Sequence, residues 1–384
     1  MKVPTAWLMM GVLVVAATAR AASNDSDAGQ EVRSLDAEQR AAIDQSIDRA
    51  LAFLKTAQQP DGGWAAFEGS DPAITALVAK CFAQHPAYGV KHPVTQKAFE
   101  FILKSRQDDG GIYIPDRGLK NYYTSVAVMA LSLSDDAEVK KAVGAAQRFL
   151  TELQWDESED YKADNVFYGG AGYGHGKRPD LSNTQMMLEA LRQSGLPPEH
   201  PTYRKAMAFI SRCQMLPETN DQPFAKGGDG GFIYSPANGG ESKAGTVGEG
   251  EESHLRSYGS MTYAGLKSMI YAGVNRDDVR VQRAFEWIRQ HYTLDVNPNM
   301  PADQAQQGLY YYFHTFAKAL EAYGDPVIEG PDGAKHVWRA DLAKKLLELQ
   351  KEDGSWVNEA DRWWESNPHL VTAYSVLALQ TVRK

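Results

Sequence analysis

Apolar positions along this chain recur with helical spacing. Ala50/Phe53/Leu54, Ala98/Phe101/Ile102, Ala146/Phe149/Leu150, Ala206/Phe209/Ile210 and Ala284/Trp287/Ile288 share one pattern, which Leu346/Leu347 follows more loosely. The i, i+3, i+4 spacing puts each set on one face of an amphipathic helix. A glycine turn with an acid before it closes several of these helices, as in Gln58-Gln-Pro-Asp-Gly-Gly-Trp64, Gln107-Asp-Asp-Gly-Gly-Ile-Tyr113, Asp229-Gly-Gly-Phe232 and Gln350-Lys-Glu-Asp-Gly-Ser-Trp356. Glycine stops the helix because it accepts a left-handed backbone without steric cost. The aromatic residue can then fold back on the helix just ended, and the glutamine can bridge helix-end carbonyls to the next repeat.

A second kind of helix follows each turn. Asp71–Phe82, Asn121–Leu133, Asp180–Gln193, Tyr258–Ala272, Leu309–Ala322 and His369–Thr381 are apolar nearly all round and carry one threonine each: Thr75, Thr124, Thr184, Thr262, Thr315 and Thr372. A helix that is apolar on every side is buried on every side. Half-exposed and fully buried helices therefore alternate six times. An open solenoid of six such units would leave an apolar end at each terminus, and closure hides both. The pattern predicts an all-α fold, an (α/α)6 toroid of six helical hairpins in two concentric rings, over residues 40–384. Glycine- and proline-rich insertions at 165–179, 217–256 and 297–307 precede inner helices, and such insertions on one face of a repeat array are where sites are built.

The first 21 residues read differently. Lys2, an uncharged and mostly apolar run from Ala6 to Ala17, and Ala19-Arg20-Ala21 make a cleavable secretory signal peptide, followed by a small, polar, acidic leader over 22–39. The expected location is periplasmic or secreted, with no transmembrane anchor. With a net charge of −9 the chain is a poor partner for nucleic acid. Its 2 cysteines, Cys81 and Cys213, lie in helical patterns and read as buried free thiols, although an oxidising compartment would also let them pair.

The Gln-x-x-Asp-Gly-Gly/Ser-Trp signature on helical hairpins resembles the prenyltransferase/squalene oxidase repeats of squalene and oxidosqualene cyclases and of protein prenyltransferase β-subunits. The resemblance implies an α/α toroid around a central apolar cavity for isoprenoid chains, lined by inner-helix residues. The catalytic motifs of those families do not carry over. The Asp-x-Asp-Asp acid of the cyclases is absent, Asp108-Asp109, Asp135-Asp136 and Asp277-Asp278 being isolated pairs in turns. Neither cysteine has an acid two residues before it, as the zinc-holding Asp-x-Cys of the prenyltransferases requires, and Cys213-Gln-Met-Leu216 is not the thioester motif of the complement-type relatives.

Candidate chemistry is therefore read at the loop-to-inner-helix junctions. Asp71 and Asp180 each stand four residues before an inner-helix threonine, as helix N-caps or as acids at the cavity mouth. Asp180 is the better acid, because it follows the glycine-rich Tyr168–Gly176, which presents Tyr173 and His175 and lacks the strand context of a phosphate loop. Glu252 and His254 form a candidate acid–base pair behind the glycine-rich stretch 239–250, a possible lid. Aromatic residues cluster where inner helices begin, which nominates Tyr123, Tyr258, Tyr263, Tyr311, His314 and Trp364 as ligand-binding residues beside Tyr173 and His175. The histidine spacing supplies no metal motif, so no metal and no cofactor is expected.

Three functions follow: an isoprenoid or other apolar small molecule held in a central aromatic cavity, a non-catalytic module for an envelope protein, or a glycan-active (α/α)6 enzyme. A deep dry cavity favours the first, a filled centre the second, and an open groove with facing acids the third.

Overall fold

The structure is a computed structural model and describes residues 35–66 and 68–384. The expected signal peptide, and most of the expected leader, lie outside the described residues. The first helix, α1 (Ala37–Thr56), starts inside the segment assigned to the leader, because Asp36 and Gln39 form a reciprocal capping box that fixes its first turn. Eleven more helices follow: α2 (Pro72–Ala83), α3 (Pro93–Leu103), α4 (Lys120–Leu131), α5 (Ala137–Glu152), α6 (Leu181–Gln193), α7 (Pro201–Cys213), α8 (Gly259–Tyr271), α9 (Val279–Gln290), α10 (Leu309–Tyr323), α11 (Trp338–Leu349) and α12 (Pro368–Arg383).

The even-numbered helices form the inner ring, each packed on the next, and α12 closes on α2. Outside them α11 packs on α1 across the seam, which joins the last hairpin to the first. The chain is an (α/α)6 toroid, as its alternation of helix types requires. The two short antiparallel hairpins of the described residues, β1 (Thr246–Val247) with β2 (His254–Leu255) and β3 (Ile328–Glu329) with β4 (Lys335–His336), decorate loops, and of their residues only Ile328 is buried in the core. No described helix is long and apolar enough to cross a membrane. Cys81 and Cys213 are buried free thiols.

The repeated polar residues join the hairpins. In five of the six repeats the inner-helix threonine hydroxyl accepts a backbone N–H from the preceding turn: Trp64 to Thr75, Ile112 to Thr124, Ala171 to Thr184, Phe232 to Thr262 and Trp356 to Thr372, at 3.0–3.1 Å. Thr315 instead bonds carbonyls of its own helix. The glutamine amides bridge as expected: Gln214 donates to Gly230 and to Arg280 in α9, and Gln350 to Gly354 and to Ser46 in α1. Gln107 departs from this and donates only to Ser105 and Tyr113. The turn glycines are required twice over. At Gly354, φ is +88° and a Cβ would sit 2.6 Å from the Arg49 carbonyl oxygen. The Trp64 and Trp356 indoles fold back to donate to Leu54 and Leu346.

The centre of the ring is not an open apolar channel. Towards the C-terminal ends of the inner helices it holds a buried charged cluster. Lys267 donates to Glu189 at 2.5 Å, both side chains fully buried, and Lys80 reaches across the ring from α2 to Gln193 on α6 at 2.8 Å. Gln193 in turn donates to Glu189. Burial lowers the Lys80 pKa to about 7, with Lys318 and Lys267 adding to the effect. Burial opposes ionisation of Glu189, but Lys267, Lys318 and Lys80 together hold its pKa well below the usual range, so it remains a carboxylate. Breaking a buried pair strands the remaining charge. The substitution Glu189→Gln is expected to cost about 3–5 kcal/mol of stability in urea unfolding, the range for stranding one partner of a buried ion pair. An unchanged midpoint would show that the cluster is not held by this carboxylate.

Candidate functional site

The first turns of all six inner helices meet at one end of the toroid. There they enclose a cavity of about 280 Å³, walled by seven tyrosines, two tryptophans and a few polar groups. Its floor is made by rings that cross the ring centre. Tyr122 of α4 and Tyr374 of α12 pair through their hydroxyls at 2.9 Å, and Tyr311 of α10 meets Ser182 and Gln185 of α6 at 3.0 Å. The cavity is thus confined to the mouth and does not run through the toroid.

Loops entering the inner helices supply its walls. The loop before α6 brings Tyr173, the loop before α8 brings Tyr234 and Lys243, and the loop before α12 brings Trp363 and Trp364. Lys243 lies over the Tyr234 ring at 4.3 Å and pairs with Glu241, which also pairs with Arg178. Trp363 and Trp364 are consecutive left-handed residues, with φ of 59° and 67°, and are 43% and 38% exposed. Two bulky residues in this conformation cost about 1–3 kcal/mol each, and such strain persists only where neighbours fix it. Glu365 is one such neighbour: its side chain accepts from the Tyr311 N–H at 2.7 Å and from Asn358 Nδ2 at 2.6 Å. Asn358 N–H also donates to the Glu365 carbonyl, and Asn367 N–H to the Trp364 carbonyl.

Three acids stand at this end. Asp71 caps α2, accepting from Ala73 and Ile74, and its second oxygen accepts the Tyr123 hydroxyl at 2.5 Å. Asp180 caps α6 by accepting the Asn183 N–H and Nδ2, each at 2.8 Å. Burial raises its pKa to about 6 against those bonds. Burial likewise raises Glu365 to about 7, against donation from Asn358 and from the backbone at Tyr311 and Tyr310.

Of the residues nominated from sequence, Tyr123, Tyr173, Tyr258, Tyr311 and Trp364 line the cavity. Asp180 is buried and is not part of the lining. Glu252 and His254 do not form a side-chain pair and lie outside the lining: Glu252 is exposed, and His254 Nδ1 is 2.9 Å from its backbone carbonyl. The β1–β2 hairpin holds them out, where glycines dominate and nothing apolar draws them in. His175 is exposed beside Glu159 at 3.3 Å. Tyr263 and His314 lie deeper in the core, Tyr263 against Tyr312 and Phe316, and His314 under Tyr374 with burial lowering its pKa to about 3. Sequence reading nominated helix starts; Tyr374, one turn inside α12, and Tyr234, two residues past the glycine turn, carried no such signal. Among the described residues no three His, Cys, Asp or Glu side chains are placed to hold a metal ion.

Solved structures share this architecture. A type II terpene cyclase from Scytonema superposes with a TM-score of 0.52 at 16% identity, covering 90% of this chain and 98% of that one. A cellobiose 2-epimerase from Spirochaeta thermophila gives 0.55 at 15% identity over 94% and 98%, and a D-mannose isomerase 0.58 at 11% over 91% and 99%. This chain has their α/α-toroid fold. No family model matches it. The toroid is thus common to terpene cyclases and sugar-converting enzymes, and the likeness extends to fold alone.

The raised Glu365 pKa makes a prediction. Between the ordinary carboxylate range and pH 7 the folded protein retains a proton that the unfolded chain releases, so this group's contribution to stability declines as pH rises through 7. Glu365→Gln is expected to remove that component, worth about 3 kcal/mol at most, and to flatten the difference in urea stability between pH 5 and pH 8. An identical slope in the variant would refute the assignment.

Proposed function

We propose that this is an exported protein that binds a compact apolar molecule, an isoprenoid or a lipid of similar character, in the cavity at the mouth of the toroid. The observation that carries the reading is the lining: seven tyrosines and two tryptophans with Ile74, Leu119, Met261 and Leu370 around few polar atoms. About 280 Å³ lies at the small end of ligand sites. It suits one ring system or one end of a longer chain, the remainder running out past Trp363 and Trp364. A variant of the Scytonema cyclase has been solved in complex with geranylgeranyl dihydroxybenzoate, a ligand with such a prenyl chain. Asp180 is the acid suited to a reaction on the bound molecule, since burial raises its pKa to about 6 beside the cavity. Export rests on the Ala6–Ala17 run and Ala19-Arg20-Ala21.

A sugar is the second reading, favoured by Trp363 and Trp364, 43% and 38% exposed at the rim, since indoles stack on sugar rings. The filled centre favours an envelope-protein module, and the walled cavity at the mouth favours a small molecule. Isolation from the native host, with mass spectrometry of whatever co-purifies, is expected to return an isoprenoid or lipid. Tryptophan fluorescence is expected to saturate with prenyl compounds, and Tyr311→Ala to weaken that binding about tenfold, roughly the loss of one good contact. Saturation by cellobiose or mannose alone would select the second reading, and response to neither class would overturn both.

A further inference from the structure

The floor of the mouth cavity is built from hydroxyls held in pairs. Tyr122 and Tyr374 share one hydrogen bond at 2.9 Å, and Tyr311 and Ser182 share another at 3.0 Å. Each pair has two O–H hydrogens and makes one bond between its members, so one hydrogen of each pair is left over. The Tyr311 oxygen also accepts Gln185 Nε2 at 3.0 Å, so what this pair still offers is a donor. The two pairs adjoin, the Tyr311 and Tyr374 rings meeting edge to face at 6.1 Å between centroids. Tyr122, Ser182 and Tyr311 are only half-buried, and all four residues line the cavity, so a molecule inside it meets this floor directly.

The acids of the wall have their oxygens occupied. Asp71 Oδ1 accepts from Ala73 and Ile74 and Oδ2 from Tyr123, while Glu365 Oε1 accepts from Tyr311 and Oε2 from Asn358. Spare donors on the floor and occupied acceptors on the wall select the polar group of a ligand. An ammonium brings only donors to a floor of donors. A carboxylate or diphosphate lies among acids, and the one lysine in the lining, Lys243, is already paired with Glu241. A hydroxyl can accept from the floor, but its own hydrogen is then left without an acceptor, which is costly among so few polar atoms. A carbonyl oxygen has two lone pairs, no hydrogen and no charge, and matches two adjoining donors.

Resting on the apolar-ligand reading above, we infer that the bound molecule carries a neutral carbonyl at its inner end, as an isoprenoid ketone, aldehyde or quinone does, and that its oxygen accepts from the Tyr122–Tyr374 and Tyr311–Ser182 pairs. Calorimetric titration of the full mature chain with geranylacetone, and with its analogues bearing a methylene, a secondary alcohol or a secondary amine in place of the carbonyl, tests this. The ketone is expected to bind about tenfold more tightly than each of the other three, within the range of two ordinary hydrogen bonds. Tyr122→Phe combined with Tyr374→Phe removes one donor pair and is expected to cut that advantage to about threefold. Infrared spectra of the isotope-labelled ketone give a second readout. Its carbonyl stretch is expected to lie lower in the wild-type complex than in hexane, and to move back up in the variant. If the variant does not fold, the wild-type affinities and spectrum decide alone. Equal binding of ketone and hydrocarbon, tighter binding of alcohol or amine, or a carbonyl band at its hexane position overturns the inference and leaves the apolar-ligand reading standing. Failure of every prenyl compound to bind overturns both.

Discussion

All six inner helices run in the same direction, and the rest of the molecule answers to that constraint. Parallel helices in a ring align their dipoles, each worth about half a unit charge at either end. The N-terminal end gathers Asp71, Asp180 and Glu365, each accepting helix N–H groups. The C-terminal end gathers Lys80, Lys267 and Lys318 around Glu189. The same geometry makes one end of the toroid the place for a cavity. Loops entering inner helices must all arrive there, and they bring side chains that the helices alone cannot provide.

The same few bonds recur in most of the hairpins and hold the ring together. An inner-helix threonine receives the turn's N–H, a glutamine reaches the neighbouring outer helix, and a glycine admits that helix's carbonyl at a distance no Cβ would allow. These bonds involve backbone on one side. They therefore tolerate change in the packing residues around them, and they leave loop length free. The insertions before α6 and α8 exploit that freedom and carry Tyr173 and Tyr234, while the loop before α12 carries the two rim tryptophans. Where the threonine bond is missing, in the repeat of Thr315, Glu365 from the following loop binds the start of α10 instead. The carboxylate that caps this helix is thus also the one that supports the strained Trp363–Trp364 turn.

Much of the fold was legible in the chain because it is repetitive. Periodic apolar triplets, one threonine per buried helix and the Asp-Gly-Gly turns are local signals, and local signals repeated six times specify a closed ring. The inner helices begin and end within two or three residues of the spans read from sequence. The start of α1 was misplaced only where a short polar segment conceals a capping box. The site was legible in part. Helix starts rich in aromatics were the right place for Tyr123, Tyr258 and Tyr311.

What composition and spacing could not determine was depth and direction. Tyr263 stands five residues beyond Tyr258 on the same helix, yet it faces the core while Tyr258 faces the cavity. Glu252 and His254 stand close to Tyr258 in sequence, yet the β1–β2 hairpin holds both outside the cavity, Glu252 exposed and His254 half-buried. The filled centre depends on contacts between helices that are not neighbours in the ring, Lys80 with Gln193 and Tyr122 with Tyr374. Such contacts join residues more than a hundred positions apart. Local periodicity holds no information about them; they exist only once the ring has closed.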